Sequence, residues 1–452
     1  MIRKLLRKVF SRDVSVKLPE PALIPVAQHG ITRGKLSSAA RRVCTQLQEK
    51  GFKAYVVGGA VRDLLIGQPP KDFDVATDAT PEQVRAVFRR SRIIGRRFRI
   101  VHVMSGPETI EVSTFRAMQK ATADEHGRVL HDNVFGLQAE DATRRDFTVN
   151  ALYYDPSTET IIDYHHGVVD LKQKTLRMIG DPRTRYREDP VRMLRAVRLS
   201  AKLDLTLDPA AQHPIREMAE LLENVPPARL FDEMLKLLFS GHALQCLKQL
   251  REEGLHHGLL PLLDVIVEQP RGKRFVQLAL EDTDLRIRQN KHVSPSFLFA
   301  TLLWHEVLKH WDKQKQAGLH AQPALFAAMD EVLDTQAEKL AITKRIVGDI
   351  KEIWALQPRF EKIGSKTPWR LIEQPRYRAA WDFLNLRARA GEIDEALPKW
   401  WDTFAHAGHE AREALLQSLP GGTGAVQPKR RRRRRRKPAA DNASSPEPNT
   451  GT

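Results

Sequence analysis

The stretch Val56-Val57-Gly58-Gly59-Ala60-Val61-Arg62-Asp63-Leu64-Leu65, followed by Lys71-Asp72-Phe73-Asp74-Val75, constrains this chain more than any other. Ala54 to Val57 is apolar and β-rich, which predicts a strand. Gly58 and Gly59 end it and let the backbone approach a ligand closely. Ala60 to Leu65 opens a helix with Arg62 and Asp63 in its first turn. Asp72 and Asp74 stand two apart on a second predicted strand, so both face one side and Phe73 faces a core. Adjacent carboxylates repel and raise each other's pKa unless a cation lies between them. Mg2+ favours one or two carboxylates plus phosphate oxygens, and paired metals can activate a hydroxyl and hold a leaving pyrophosphate. Glycines beside such a pair point to nucleotidyl transfer.

The charge balance agrees. The 452 residues carry a formal net charge of +17, which calls for a polyanionic partner. RNA fits that excess better than a small acid does. Two cysteines, Cys44 and Cys246, supply neither a disulfide framework nor a zinc site and suit a reducing, cytoplasmic setting. No apolar run is long enough to span a bilayer, so no stable membrane insertion is expected. The start, Met1 to Phe10, is basic and amphipathic and reads as an uncleaved arm.

Residues 11 to 30 hold several prolines without periodicity and read as a linker. Leu36 to Lys50 predicts a helix with Val43 and Leu47 on its buried face. Thr80 caps the next helix, Pro81 sits in its first turn, and Val84, Val87 and Phe88 form its apolar side. Arg99 to Met104 and Thr109 to Phe115 predict a hairpin around Ser105-Gly106-Pro107-Glu108. Glu111 on its second strand can complete a metal cluster, with Arg116 just beyond. Residues 117 to 136 read as a polar surface loop.

Arg144-Arg145-Asp146-Phe147-Thr148-Val149-Asn150-Ala151-Leu152 predicts a helix burying Phe147, Ala151 and Leu152. Its two arginines suit a triphosphate, because guanidinium groups bind phosphate in bidentate fashion. Ile161-Ile162-Asp163 and Gly167 predict a closing strand and turn. Beyond Pro182 strand signals thin out. Arg187 to Leu199 predicts one amphipathic helix, with Asp189 as cap and Pro190 at its first position. Val191, Leu194, Val197 and Ala201 face inward, and Glu188, Arg192, Arg195 and Leu199 form another face. Pro226 starts a further helix, and helices continue to about Leu419. All seven tryptophans lie in that region, where helix packing is their expected role.

Three patterns are set aside. His305 and His310 are five apart and do not share a helix face, as a zinc helix requires. His131-Asp132 lacks the distributed histidines of a metal phosphohydrolase. Gly58-Gly59 fits neither a P-loop nor a dinucleotide fingerprint.

Gly58-Gly59-x-Val61-Arg62-Asp63-x-Leu65-x-Gly67 with Asp72-x-Asp74 closely resembles the head of class II nucleotidyltransferases. That family contains the tRNA CCA-adding enzymes and bacterial poly(A) polymerases. Arg144 to Leu152 resembles its second shared motif, and Glu188-Asp189-x-x-Arg192 its base-reading motif. The resemblance covers most of residues 36 to 240. It implies an α+β protein: a palm-like α/β head (36–180), a helical neck (181–275) and a helical body (276–420). A basic arm and linker (1–35) precede them. It further implies Mg2+ on Asp72 and Asp74, with Asp146 or Glu111 as third carboxylate. Gly58, Gly59, Arg62, Arg116, Arg144 and Arg145 would lie along the triphosphate of ATP. Asn150 would lie near the nucleotide, and Asp189 and Arg192 would read its base.

Both branches share these motifs. Gly95 to Val103 and Arg187 to Ala196 look like the poly(A) polymerase versions. The tail (421–452) adds Lys429, Arg430, Arg431, Arg432, Arg433, Arg434, Arg435, Arg436 and Lys437. Such a block buries no core, is expected to be disordered, and binds phosphate backbones without sequence preference. The expected activity is template-independent addition of AMP to RNA 3′ ends, serving RNA processing and decay. CCA addition to tRNA is the alternative.

Overall fold

A computed structural model describes residues 18–95, 99–117, 134–255, 272–337, 340–364 and 366–419. The basic arm, Arg96 to Phe98, most of the polar loop, His131-Asp132 and the arginine-rich tail lie outside those residues. The described part is α+β, with a sheet-containing head followed by helices.

The head is built on eight strands. They are β1 (Ala22–Ile24), β2 (Ala54–Val57), β3 (Asp74–Thr77), β4 (Ser91–Ile94), β5 (Ile100–Ser105), β6 (Glu108–Thr114), β7 (Leu152–Asp155) and β8 (Thr160–Asp163). Their spatial order is β1-β8-β7-β2-β3-β6-β5-β4. Among the described residues of this sheet only β3 and β6 pair in parallel, so a crossover joins them, and it carries the Pro81–Val87 helix. One sheet face presents Ala54, Val56, Val75, Val101, Val112 and Ile161 to the main core. The Ser38–Glu49 helix covers it with Ala40, Val43 and Leu47. Thr80 caps the Pro81–Val87 helix in a reciprocal box with Gln83, which satisfies two orphan donors. Strand alternation sends the other residues to the opposite face, where Val57, Ala76, Phe115, Ala142 and Tyr153 form a smaller cluster. The polar site grows on that second face.

The neck comprises the helices Pro182–Glu188, Val191–Leu203, Pro209–Met218, Pro227–Leu238 and Ala243–Glu252. Longer body helices follow, among them Pro295–Gln316, Ala321–Ala337 and Lys344–Phe360. One apolar cluster runs from Ile31 through the neck to Leu386, so head and neck are welded by a shared core. Trp304, Trp354 and Trp401 are fully buried, and the Trp354 and Trp401 indole N–H groups donate to the carbonyls of Ala300 and Phe360. His305 pairs with Glu392, and His310 with Glu331 and Glu306.

Five local expectations are corrected. Residues 22–24 are not linker: they add edge strand β1, with Leu23 opposite Ile162, and flanking prolines are tolerated at an edge. Strand β4 was not foreseen. The strand after the glycine turn begins at Asp74, so Asp72 precedes it. Arg144 to Leu152 is not a helix but a 3-10 turn (Thr148–Asn150) running into β7. Tertiary bonds override its helical pattern: Thr148 N–H donates to Arg177 O, and Thr148 Oγ1 donates to buried Asp170. Finally, the helix expected over Arg187 to Leu199 breaks at Asp189-Pro190. Pro190 forces Asp189 into extended backbone (φ −151°, ψ 94°), so Asp189 ends one helix and its side chain caps neither.

Candidate active site

Glycine geometry sets the entrance. Gly58 has φ +77° and ψ −131°, a region that a side-chain-bearing residue adopts only with strain. A Cβ there would stand 3.6 Å from Arg145 Nη1. The tight turn brings β2 straight into the Gly59–Leu65 helix and packs its backbone against the second motif.

Beside this turn, the parallel register of β3 and β6 puts Asp74 directly opposite Glu111. Both are on the face away from the Ser38–Glu49 helix, and His102 of β5 continues the row, 3.8 Å from Glu111. Asp74 is open to solvent on its outer side. Even so, the surrounding walls desolvate it and push its pKa up to about 6. Glu111 and Asp72 add to the rise and Arg145 opposes it. Two like charges with no cation between them are the donor set that a divalent ion relieves. Among the described residues, no three acidic, histidine or cysteine side chains form a closed metal cage. An open pair suits Mg2+, which completes its shell with phosphate oxygens.

Asp146 is placed differently. Its Oδ1 accepts from Phe147 N–H (2.8 Å) and Asn150 Nδ2 (3.3 Å), and its Oδ2 accepts from Arg195 Nε (2.8 Å). Burial raises its pKa, but the Arg195 charge and these hydrogen bonds outweigh that and hold the carboxyl well below the usual range. Of the two candidates for a third carboxylate, the geometry brings Glu111 to Asp74 and commits Asp146 to a clamp. Asn150 passes the clamp on: its Oδ1 accepts from Arg62 Nη1 (2.6 Å), and Arg62 also donates to Asp63 (2.6 Å). Arg62 is 5 % exposed, so it braces the glycine helix and does not line an open cleft. This corrects its expected place along the triphosphate.

The double arginine is organised by a residue that motif reading passed over. Asp141, 2 % exposed, accepts from Arg144 Nε (3.1 Å), Arg145 Nη2 (3.1 Å), Tyr153 Oη (2.7 Å) and Arg116 N–H (3.3 Å). Burial opposes its charge, but Arg145 and Arg144 prevail and keep its pKa low. The signal was present as an acid three and four residues before the two arginines, on a short helix (Gln138–Thr143) that ends just before them. Arg185 then donates to the Arg144 and Arg145 carbonyls, each at 2.6 Å, which ties the neck to the motif.

Part of this set lines a cavity of about 410 Å3 between head and neck. Glu111, Arg116, Arg144, Arg145 and Asp146 come from the head, and Asp189, Arg192, Arg195, Arg229 and Lys236 from the neck. Arg192 donates to Glu188 (3.0 Å) and to the Arg185 carbonyl (2.8 Å), which fixes its guanidinium. Asp189 Oδ2 accepts from Arg229 (2.9 Å), while its Oδ1 is buried without a partner. A buried acceptor left open in a cavity wall can be satisfied by a ligand donor. Asp72 instead lines an adjoining cleft of about 820 Å3 with Lys71, Arg198, Lys202 and Lys236.

Comparison with known proteins accords with this layout. Residues 54–177 match the poly A polymerase head domain. Residues 204–266 match a probable RNA and SrmB-binding site of polymerase A, and 317–437 its arginine-rich C-terminus. Poly(A) polymerase I of Salmonella typhi is 44% identical over 432 residues, 91% of this chain and 93% of that one. A CCA-adding enzyme of Streptococcus pyogenes is 34% identical over 259 residues, 53% and 63% of the two chains. The structure of Thermotoga maritima CCA-adding enzyme complexed with tRNA shares the fold, with a TM-score of 0.56 at 17% identity over 89% of this chain and 91% of that one. By its head model, its C-terminal model and its full-length likeness, the chain belongs to the bacterial poly(A) polymerase family.

Proposed function

We propose that the protein transfers AMP from ATP to RNA 3′-hydroxyls without a template, releasing pyrophosphate. The observation that carries this reading is Asp74 set opposite Glu111, which lines an arginine-rich cavity, in a chain 44% identical to a poly(A) polymerase over 91% of its length. The Asp74 and Glu111 carboxylates, with Asp72 nearby, are the residues that would hold Mg2+. Bound there, the ion supplies positive charge that favours ionisation of the attacking hydroxyl and stabilises the leaving pyrophosphate.

The chain's own groups do the rest. Arg116, Arg144 and Arg145 present positive charge to the triphosphate from a frame that Asp141 holds rigid, so little ordering is needed at binding. Asp189 Oδ1 offers an acceptor for an exocyclic amino group, and the fixed Arg192 offers donors beside it. The Asp146–Arg195 clamp holds neck and head in register around the nucleotide. The basic cleft beside Asp72 gives an RNA 3′ end an approach to the carboxylates. No described helix is long and apolar enough to cross a membrane.

The test supplies purified protein and Mg2+ with oligoadenylate or with tRNA lacking its last three nucleotides, each with ATP or CTP alone. Long ladders on oligoadenylate with ATP and little with CTP are expected. Addition that stops after two cytidines, and occurs only on tRNA, would replace this reading with CCA addition.

A further inference from the structure

A second cavity, of about 420 Å3, lies on the helical body away from every residue assigned above. That volume is in the range of ordinary ligand pockets. Its apolar part contains Trp311, Leu325 and Phe326. The Trp311 indole N–H donates to the Ala321 carbonyl at 2.7 Å, so the ring is held in place. Phe326 is 42% exposed, although Leu325, Ala328 and Met329 on the same helix are buried. The ring borders a cavity instead of standing alone on the surface, the setting in which exposed apolar area marks a binding site.

The polar part has one sign. Arg359, Lys362 and Arg370 line the cavity, and no carboxylate does. None of the three has an ion-pair partner among the described residues. The catalytic cavity differs, since Glu111, Asp146, Asp189, Asp232 and Glu233 all contribute to its wall. Acids near a base select among bases by hydrogen bonding. An open ring such as Phe326, beside a half-buried Trp311 over which Lys315 already sits and three unpaired cations, accepts any base by stacking and holds its phosphate by charge.

We propose that this body cavity is a distal anchor for single-stranded RNA, taking one base against Phe326 and Trp311 and the adjoining phosphates on Arg359, Lys362 and Arg370. Its role as an anchor for a growing 3′ tail rests on the polymerase reading above. RNA long enough to reach from the carboxylates to the body would gain affinity there, and short RNA would not. The two attachment points act as linked sites, so the long strand dissociates more slowly between additions.

The experiment compares the full-length protein with Phe326→Ala, Phe326→Trp and Arg359→Ala. Binding to a long oligoadenylate (about 25 nucleotides) and a short one (about 6) is read by fluorescence anisotropy across a salt series. Phe326→Ala is expected to weaken long-strand binding about five- to tenfold at every salt concentration and to shorten product ladders. Phe326→Trp restores both. Arg359→Ala weakens the same strand and also lowers the salt slope. Single AMP addition to the short strand stays unchanged in all three. A long strand with abasic residues at its 5′ part should bind wild type no better than Phe326→Ala binds the intact strand. Unchanged long-strand binding in Phe326→Ala and Arg359→Ala overturns the proposal. Equal losses on both strands overturn it too, because the effect would then act through the fold or the catalytic cavity. Absence of AMP addition to the short strand by wild type would instead strike the polymerase reading.

Discussion

Two aspartates of the head, one lining the cavity and one opposite its lining residue Glu111, behave in opposite ways. Asp74 faces Glu111 with no ion pair, and burial followed by carboxylate repulsion pushes it up to about 6. Asp146 spends both oxygens on Phe147, Asn150 and Arg195, and its pKa lies far below the usual range. The same side chain is left frustrated where the proposed cation would sit and is satisfied where head and neck are joined. A residual electrostatic cost therefore marks chemistry more reliably than the presence of an acid in a motif.

The sharpest break of this contrast is substitution of each member. Asp74→Ala should cut AMP incorporation by roughly two to three orders of magnitude, on the scale of losing one main electrostatic group of an active site. Its urea midpoint should hold or rise, since repulsion is relieved. An unchanged turnover would remove Asp74 from the mechanism. Asp146→Ala should do the reverse and destabilise first. Leaving Arg195 unpaired costs about 2 kcal/mol, a figure reduced because that side chain is one-third exposed. Urea unfolding followed by circular dichroism would show it. If stability were intact and turnover alone collapsed, Asp146 would return to the catalytic set.

A smaller effect is expected at the cavity wall. Asp189→Ala removes the unpartnered Oδ1 and should lower the ATP-over-CTP preference about tenfold in competition assays, with modest change in total turnover. Preserved selectivity would give base reading to another group.

Acidity separates the two aspartates without mutation. Asp74 has a raised pKa, so between its ordinary value near 4 and about 6 the folded state binds more protons than the unfolded one. Its contribution to stability therefore falls as pH rises through that window. Protons and Mg2+ compete for the same oxygens, so apparent Mg2+ affinity should fall by up to about tenfold per unit below pH 6. Asp146 has a depressed pKa. Its stabilisation is complete above the ordinary carboxylate range and is lost only as pH drops below it. Activity titrations with Mg2+ at several pH values would show the first window. Asp74→Asn should abolish it and Asp146→Asn should not.

Much of the site was legible in local order. Gly58 announced its role because a strand must turn into a helix there and only glycine adopts that backbone without strain. Thr80 and Pro81 marked a helix start, which the structure closes with a reciprocal hydrogen-bond box between Thr80 and Gln83. The Arg144 to Leu152 segment misled because its apolar spacing suits a helix while Asp170 and Arg177, far along the chain, hold it as a turn and strand. Asp141 escaped notice because its importance is burial among three arginines and a tyrosine, and burial is not written in any short window.

The sequence by itself determined the chemistry on offer: paired acids, a glycine turn, adjacent arginines and a strongly basic chain. Residue type and close spacing carry those properties, since charge and backbone freedom belong to single residues. Only the tertiary structure decided which acid stays unpaired. The parallel register of β3 and β6 brings Glu111 to Asp74 across 37 positions of chain, and neck packing delivers Arg195 to Asp146 across 49. Electrostatic energy depends on distance and surrounding dielectric, and both are set by how the chain folds back on itself.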